Sequence, residues 1–206
     1  MKKQLIVGVI SLLSFSMLHA QDENDEEQKG FKKENLFTGG SVSLSFGNNT
    51  FLIGGTPVFG YSLTKWIDAG IAVNFNYTSY RDYQLFNDRL RQTIYGGGVF
   101  TRIYPVRFLF AQAQLEHNFI KQKYLPPNNG TPVTQDRDAT SFLVGAGYTT
   151  NRNPGSGQSF FYVSVLVDLM KNEFSPYRDN ANRVLPIIRA GVQIPLFQNA
   201  DRYNTY

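Results

Sequence analysis

Glu116 and His117 sit side by side, and their types suit general acid–base work, which needs a titratable group within hydrogen-bond reach of its partner. Neighbours on a strand point to opposite faces, so in an extended segment the two cannot meet. No matching serine motif accompanies them, and the other histidine, His19, falls in an N-terminal segment with the marks of a removable address. Gly96-Gly97-Gly98 is a glycine run, but a phosphate-cradling loop joins a strand to a helix. This run lies inside a strand pattern, which points to a bulge or to close packing. The chain has no cysteine, which removes thiolate ligands and thiol nucleophiles. No spacing of His, Asp and Glu matches a zinc or calcium site. These residues predict no enzyme and no cofactor.

A second set repeats at a spacing of two. Asn74 and Asn76 share a parity, as do Gln112, Gln114 and Glu116; Asp68, Arg102, Asp168 and Arg189 occupy equivalent places in other segments. Charges gathered in an enclosed lumen must pair, because burying them alone is costly. Asp68 and Arg102 fall near the same end of adjacent segments, so they are expected to pair; Asp168 and Arg183 lie near the opposite end of another hairpin. An ion path or proton site is the functional alternative to such structural pairing.

The segments that carry these residues alternate. Ile67 to Tyr80 sets Ile67, Ala69, Ile71, Val73, Phe75 and Tyr77 against Asp68, Gly70, Ala72, Asn74, Asn76 and Thr78. A two-residue period is a strand with one apolar face. Leu109 to Phe119, Phe161 to Met170 and Arg183 to Leu196 repeat it. Leu36 to Phe46, Leu52 to Leu63, Arg91 to Tyr104 and Thr140 to Thr150 do so more weakly. Such segments exceed the roughly 5–6 residues of ordinary soluble strands and match the roughly 9–11 of a tilted membrane-crossing strand. Pro57 and Pro186 remove ladder donors, so bulges or frayed ends are expected there.

The connections after the second and fourth segments are tight, and the third, fifth and seventh are long (Arg81 to Leu90, Gln122 to Ala139, Lys171 to Asn182); the first, Gly47 to Thr50, is short and breaks the alternation. Short periplasmic turns alternating with longer external loops give this pattern. Aromatics gather at segment ends. Tyr61, Trp66, Tyr104 and Tyr148 lie toward the short turns, Tyr77 and Phe119 toward the long loops, as interfacial belts require.

Ahead of the strands, Met1 to Ala20 reads as a signal peptide: Lys2 and Lys3, an apolar stretch too short to span, then Leu18-His19-Ala20. Residues 21–34 form an acidic leader, 35–197 the barrel and 198–206 a tail. The net charge of +4 falls to about +2 once Lys2 and Lys3 leave, too little to argue for nucleic acid. A mean hydropathy of −0.28 is compatible with a barrel, because every second side chain faces away from lipid.

The chain resembles the small outer-membrane β-barrels of the OmpA/OmpX porin-like superfamily over roughly residues 35 to 197. Its last strand is similar to the signal read by the barrel-assembly machinery: polar Arg189, then Gly191, then Ile194 and Leu196. Members usually end on an aromatic residue, whereas Leu196 is aliphatic and Phe197 follows. The resemblance implies an all-β, eight-stranded antiparallel transmembrane barrel in the bacterial outer membrane, with a structural, surface-contact or narrow transport role. Its partners would be membrane lipid, lipopolysaccharide reached by loop arginines and lysines, and the assembly machinery. Two rivals make different demands. A lipid-modifying membrane enzyme would need His117; a soluble lipocalin-like barrel would need apolar residues inside and polar ones outside.

Overall fold

The computed structural model describes residues 31–197 apart from 48, 128, 129, 151, 154–156, 171 and 180. The expected signal peptide, most of the acidic leader and the tail lie outside the described residues. After a 3-10 turn at Lys33–Asn35, eight strands follow: β1 (Leu36–Gly47), β2 (Thr50–Thr64), β3 (Ile67–Arg81), β4 (Arg89–Val106), β5 (Leu109–Leu125), β6 (Val133–Thr149), β7 (Phe160–Asp168) and β8 (Ile187–Pro195). Each pairs antiparallel with the next, and β1 pairs with β8, so the sheet closes. Closure leaves no edge along the wall and satisfies its backbone groups internally.

Alternation decides which side of each strand is enclosed. Val73, Leu115 and Val165 are 43%, 48% and 48% exposed, while Asn74 and Gln114 between them are 0% and 2% exposed. Apolar side chains thus cover the outside and amides line the inside, the reverse of a soluble ligand-binding barrel. The lumen is not purely polar. Leu52, Leu143, Leu166 and Ile187 pack together toward the long-loop end, and Phe37, Val58, Ala72 and Phe100 toward the chain-terminal end.

The ladder departs from the sequence reading in three places. β5 and β6 run on into the expected loop, pairing Ile120 with Arg137 and Tyr124 with Val133; their hairpin projects beyond the wall, and Val133 to Asp138 are exposed on both faces. β8 starts at Ile187 rather than Arg183, because Pro186 offers no donor and its carbonyl instead accepts from Ser45 Oγ at 2.8 Å. Pro57 stays within β2 opposite Gly40, and the β2–β3 ladder skips it without a change of register.

The glycine run is close packing and not a bulge. Gly96, Gly97 and Gly98 pair in unbroken register with Asn118, His117 and Glu116. A Cβ on Gly96 would meet the His117 carbonyl, and one on Gly98 the Leu115 carbonyl and Glu116 Cα. The missing side chains give Glu116 and Asn118 their room.

Candidate functional site

Consecutive inward positions on β5 build the central feature. Gln112 Nε2 donates to Gln114 Oε1 at 3.0 Å, and Gln114 Nε2 to Glu116 Oε2 at 2.7 Å. Asn118 Nδ2 donates to Glu116 Oε1 at 2.8 Å from the other side, and Asn74 donates in turn to Asn118. The strand period places these four residues in one row. Arg102 Nε feeds the row at Gln112 Oε1, 2.9 Å away. The amides therefore align from a buried cation to a buried carboxylate, and such chains of hydrogen bonds reinforce one another in a low-dielectric interior. Arg189 joins midway, donating to Gln114 Oε1 at 2.9 Å with Nη2 3.9 Å from Glu116.

Asp68 and Arg102 face each other in register, yet they do not form the expected ion pair. Asp68 instead accepts from Arg152 Nη2 at 2.9 Å and from Gln193 Nε2 at 3.1 Å. The Arg102 guanidinium lies 4.2 Å from the Tyr162 ring centroid, with Phe100 at 5.0 Å and Phe110 at 5.3 Å. Ring faces carry partial negative charge and attract the cation, and Arg102 reaches the carboxylate's neighbour Gln193 instead, at 3.1 Å.

Arg152 comes from the β6–β7 connection and closes the chain-terminal end. It also donates to the Lys65 carbonyl at 2.6 Å and lies 3.8 Å from the centre of the Tyr104 ring. Tyr104 therefore points inward, 4% exposed, and is no interfacial residue; strand parity puts it on the same side as Arg102. Of the other expected belt residues, Trp66, Tyr77, Phe119 and Tyr148 face outward and Tyr61 is half-buried.

Tyr177 closes the opposite end. It reaches down from the connection at 169–186 and is fully buried, its hydroxyl donating to Glu116 Oε1 at 2.5 Å. Asp168 anchors that connection through Ser175 Oγ at 2.5 Å and the Met170 N–H at 3.0 Å. Arg183 does not reach Asp168: it pairs with Asp179 at 2.7 Å. Burial alone would raise the Asp179 carboxyl; the Arg183 N–H and side chain and the Ala181 N–H outweigh it and hold the group below the ordinary carboxylate range.

The six charges Asp68, Glu116, Asp168, Arg102, Arg152 and Arg189 are each at most 4% exposed, and three of each sign cancel. Parity located five of these six charges from sequence, together with the amides of the row, but Arg152 and Tyr177 sit in loops, where no periodicity marks them. Their spacing carries no signal; Arg152 stands out only as the lone arginine in a connection rich in Asn, Gly and Pro, and Tyr177 only as the lone tyrosine of its own.

On the outer surface, His117 Nδ1 meets Thr140 Oγ1 at 3.0 Å and Nε2 lies 3.9 Å from Asp138. The trio has the composition of a proton relay. It stands on the paired β5 and β6 ladder, where His117 faces Thr140 in register, so backbone N–H groups are engaged between strands rather than gathered as an oxyanion site. Glu116 points into the lumen and takes no part. For the last strand, Arg189 is buried, Ile194 is exposed, and Leu196 lies one residue past β8, its N–H donating to the Leu36 carbonyl at 2.7 Å.

Just above the outward aromatic row Phe75, Tyr95 and Phe119, which are register neighbours, the same strands turn basic. Arg81 faces Arg89 and Arg91 faces Lys123, with Lys121 beside them and Asp136 opposite Lys121. Like charges placed across a ladder destabilise it unless something neutralises them.

No family model and no curated protein matches the chain. Among solved structures it is similar to the attachment invasion locus protein Ail of Yersinia pestis (10% identity, 78% of this chain and 98% of that one, TM-score 0.48). It is also similar to the N-terminal β-barrel domain of Pseudomonas aeruginosa OprF (16%, 78% and 97%, 0.40) and to Neisserial surface protein A (11%, 78% and 96%, 0.39). The eight-stranded assignment stands on the strand ladders themselves.

Proposed function

We propose that this chain is a non-enzymatic outer-membrane barrel whose lumen is a structural seal and whose long-loop end serves surface contact. The observation that carries the reading is the inversion of the sheet: apolar residues outside, a charge-balanced polar network inside, and a loop side chain stoppering each end. An apolar exterior bounded by aromatic residues suits lipid. Narrow transport is not favoured, because every lumen charge is paired or hydrogen-bonded and shielded from solvent.

The basic rows on β3 to β5 suit phosphates of an anionic lipid such as lipopolysaccharide, since arginine binds phosphate through paired donors. Residues 1–20 would direct export, and β8 with Arg189, Gly191, Ile194 and Leu196 would serve recognition by the assembly machinery. Planar-bilayer recording of the purified protein tests the seal. The expected record is flat; stable, discrete single-channel steps would contradict it and restore the transport role.

A further inference from the structure

Above Tyr177 the lumen opens into a cleft of about 600 Å³, within the roughly 300–1,000 Å³ range of small-ligand sites. It lies between the projecting ends of β4 to β6 and the connections at 82–88 and 169–186. We propose that this cleft binds an uncharged saccharide, the neutral sugar rings of a glycan chain. The proposal rests on the reading that this end faces outward from the cell.

Aromatic faces come first. Tyr80, Tyr83, Tyr124 and Phe174 line the cleft. The rings are held in place before any ligand arrives. Tyr124 Oη donates to Asp88 at 2.9 Å, Tyr80 Oη donates to the Arg178 carbonyl at 3.1 Å, and the Arg137 guanidinium lies 5.1 Å from the centre of the Phe174 ring. Fixed rings lose little entropy on binding. Their partially negative faces suit the weakly positive C–H face of a pyranose.

Neutral amides complete the chemistry. Gln84, Gln92, Gln122 and Gln135 line the same space. Each amide both donates and accepts, which matches hydroxyl groups that do the same. The Gln92 carbonyl oxygen is buried and makes no hydrogen bond within the protein, so a ligand hydroxyl that reached it would satisfy an otherwise unpaired acceptor.

Charge excludes the competing ligands. The cleft's charged lining is mixed in sign, with Arg137 and Arg178 beside Glu173 and Asp179, and Arg137 donates to Gln135 Oε1 at 2.9 Å. Arg178 is committed to the Asn182 and Met170 carbonyls, and Asp179 to Arg183. A phosphate, sulfate or metal ion would find no uncommitted cluster of one sign. The cationic rows, by contrast, face outward on β3 to β5, away from the cleft.

The test uses the mature protein in nanodiscs, titrated calorimetrically with neutral tri- to hexasaccharides built from glucose, galactose or N-acetylglucosamine. At least one should bind at micromolar to millimolar concentration. Tyr124→Ala and Phe174→Ala should each weaken it about tenfold or more, as loss of an aromatic anchor does, whereas Lys121→Ala should not. Tyr124→Phe drops the bond to Asp88 but keeps the ring, and should retain binding; Phe174→Ala lies in a loop and leaves the strand ladder intact. The proposal fails if no neutral saccharide binds, if binding survives both aromatic truncations, or if sulfated glycans or peptides alone bind. Intact cells separate the two readings. Saccharide binding by purified protein but not by cells would overturn the orientation and keep the site; cell-surface labelling of the 82–88 loop without binding by purified protein would overturn the site and keep the orientation.

Discussion

The two ends of the barrel are closed by the same device and yet differ in character. At each, a side chain from a connecting segment reaches a buried carboxylate: Arg152 meets Asp68 at the chain-terminal end, and Tyr177 meets Glu116 at the long-loop end. One cap is an ion pair, which neutralises its carboxylate directly. The other is a neutral hydroxyl, so Glu116 depends on Arg189 and on the amide row for compensation. Beyond Arg152 lie short turns; beyond Tyr177 the strands continue and a cleft opens. Closure is therefore a property of the lumen, and the cleft a property of what is built above one cap.

The largest expected effect falls on the shared carboxylate. Glu116→Gln removes the charge facing buried Arg189 and sets an amide NH2 against one of the donors Gln114, Asn118 and Tyr177. Urea unfolding in lipid vesicles should show a loss toward the upper end of roughly 3–5 kcal/mol, the cost of stranding a buried charge. Arg152→Ala strands Asp68 and should cost toward the lower end of the same range of roughly 3–5 kcal/mol, because Gln193 still donates. Adding Asp68→Asn should recover part of that loss, and the double-mutant cycle isolates the coupling. If both ends responded equally to loss of the loop residue alone, the distinction between an ionic and a neutral cap would be wrong.

Tyr177→Phe comes next. Losing a hydrogen bond to a charged acceptor costs roughly 1.5–3 kcal/mol, and hydrogen exchange should speed up across 169–186 while the turns at 65–66 and 107–108 keep their protection. The smallest effect is acid sensitivity. Burial alone would raise the Asp88 carboxyl, but the N–H groups of Leu85, Gln84 and Tyr83 and the Tyr124 hydroxyl hold it below its ordinary 3.8. A depressed folded-state value stabilises at pH above that ordinary value and is lost as pH falls through the lower one. Asp179 behaves alike. Proteolysis of the 82–88 and 169–186 connections should therefore increase below the ordinary carboxylate range.

Much of the wall was legible in the sequence because alternation is a local property. Val73 and Asn74 reveal their faces from neighbours alone, and so do Leu115 and Gln114. What escaped depends on distant chain segments. Asp68 faces Arg102 across one ladder, but which partner it takes is set by Arg152, 84 residues away in sequence, and by the aromatic cage around Arg102. The place of Tyr104 at a segment end suggests a belt residue; its parity with Arg102 is the better guide. The projecting β5–β6 hairpin was missed because Val133 to Asp138 are exposed on both faces, so no apolar period marks them as a strand. Pro186 marks a disruption in the sequence, but that it sets the start of β8 depends on its carbonyl meeting Ser45, far away in the chain.

The inverted sheet is the claim on which the rest stands. The natural chain lacks cysteine, so single spin labels at Val73→Cys, Leu115→Cys and Val165→Cys report unambiguously in reconstituted vesicles. Power-saturation electron paramagnetic resonance should find all three labels accessible to oxygen and shielded from a water-soluble nickel chelate, as sites facing acyl chains are. Ready collision with nickel and poor contact with oxygen at these sites would contradict the account.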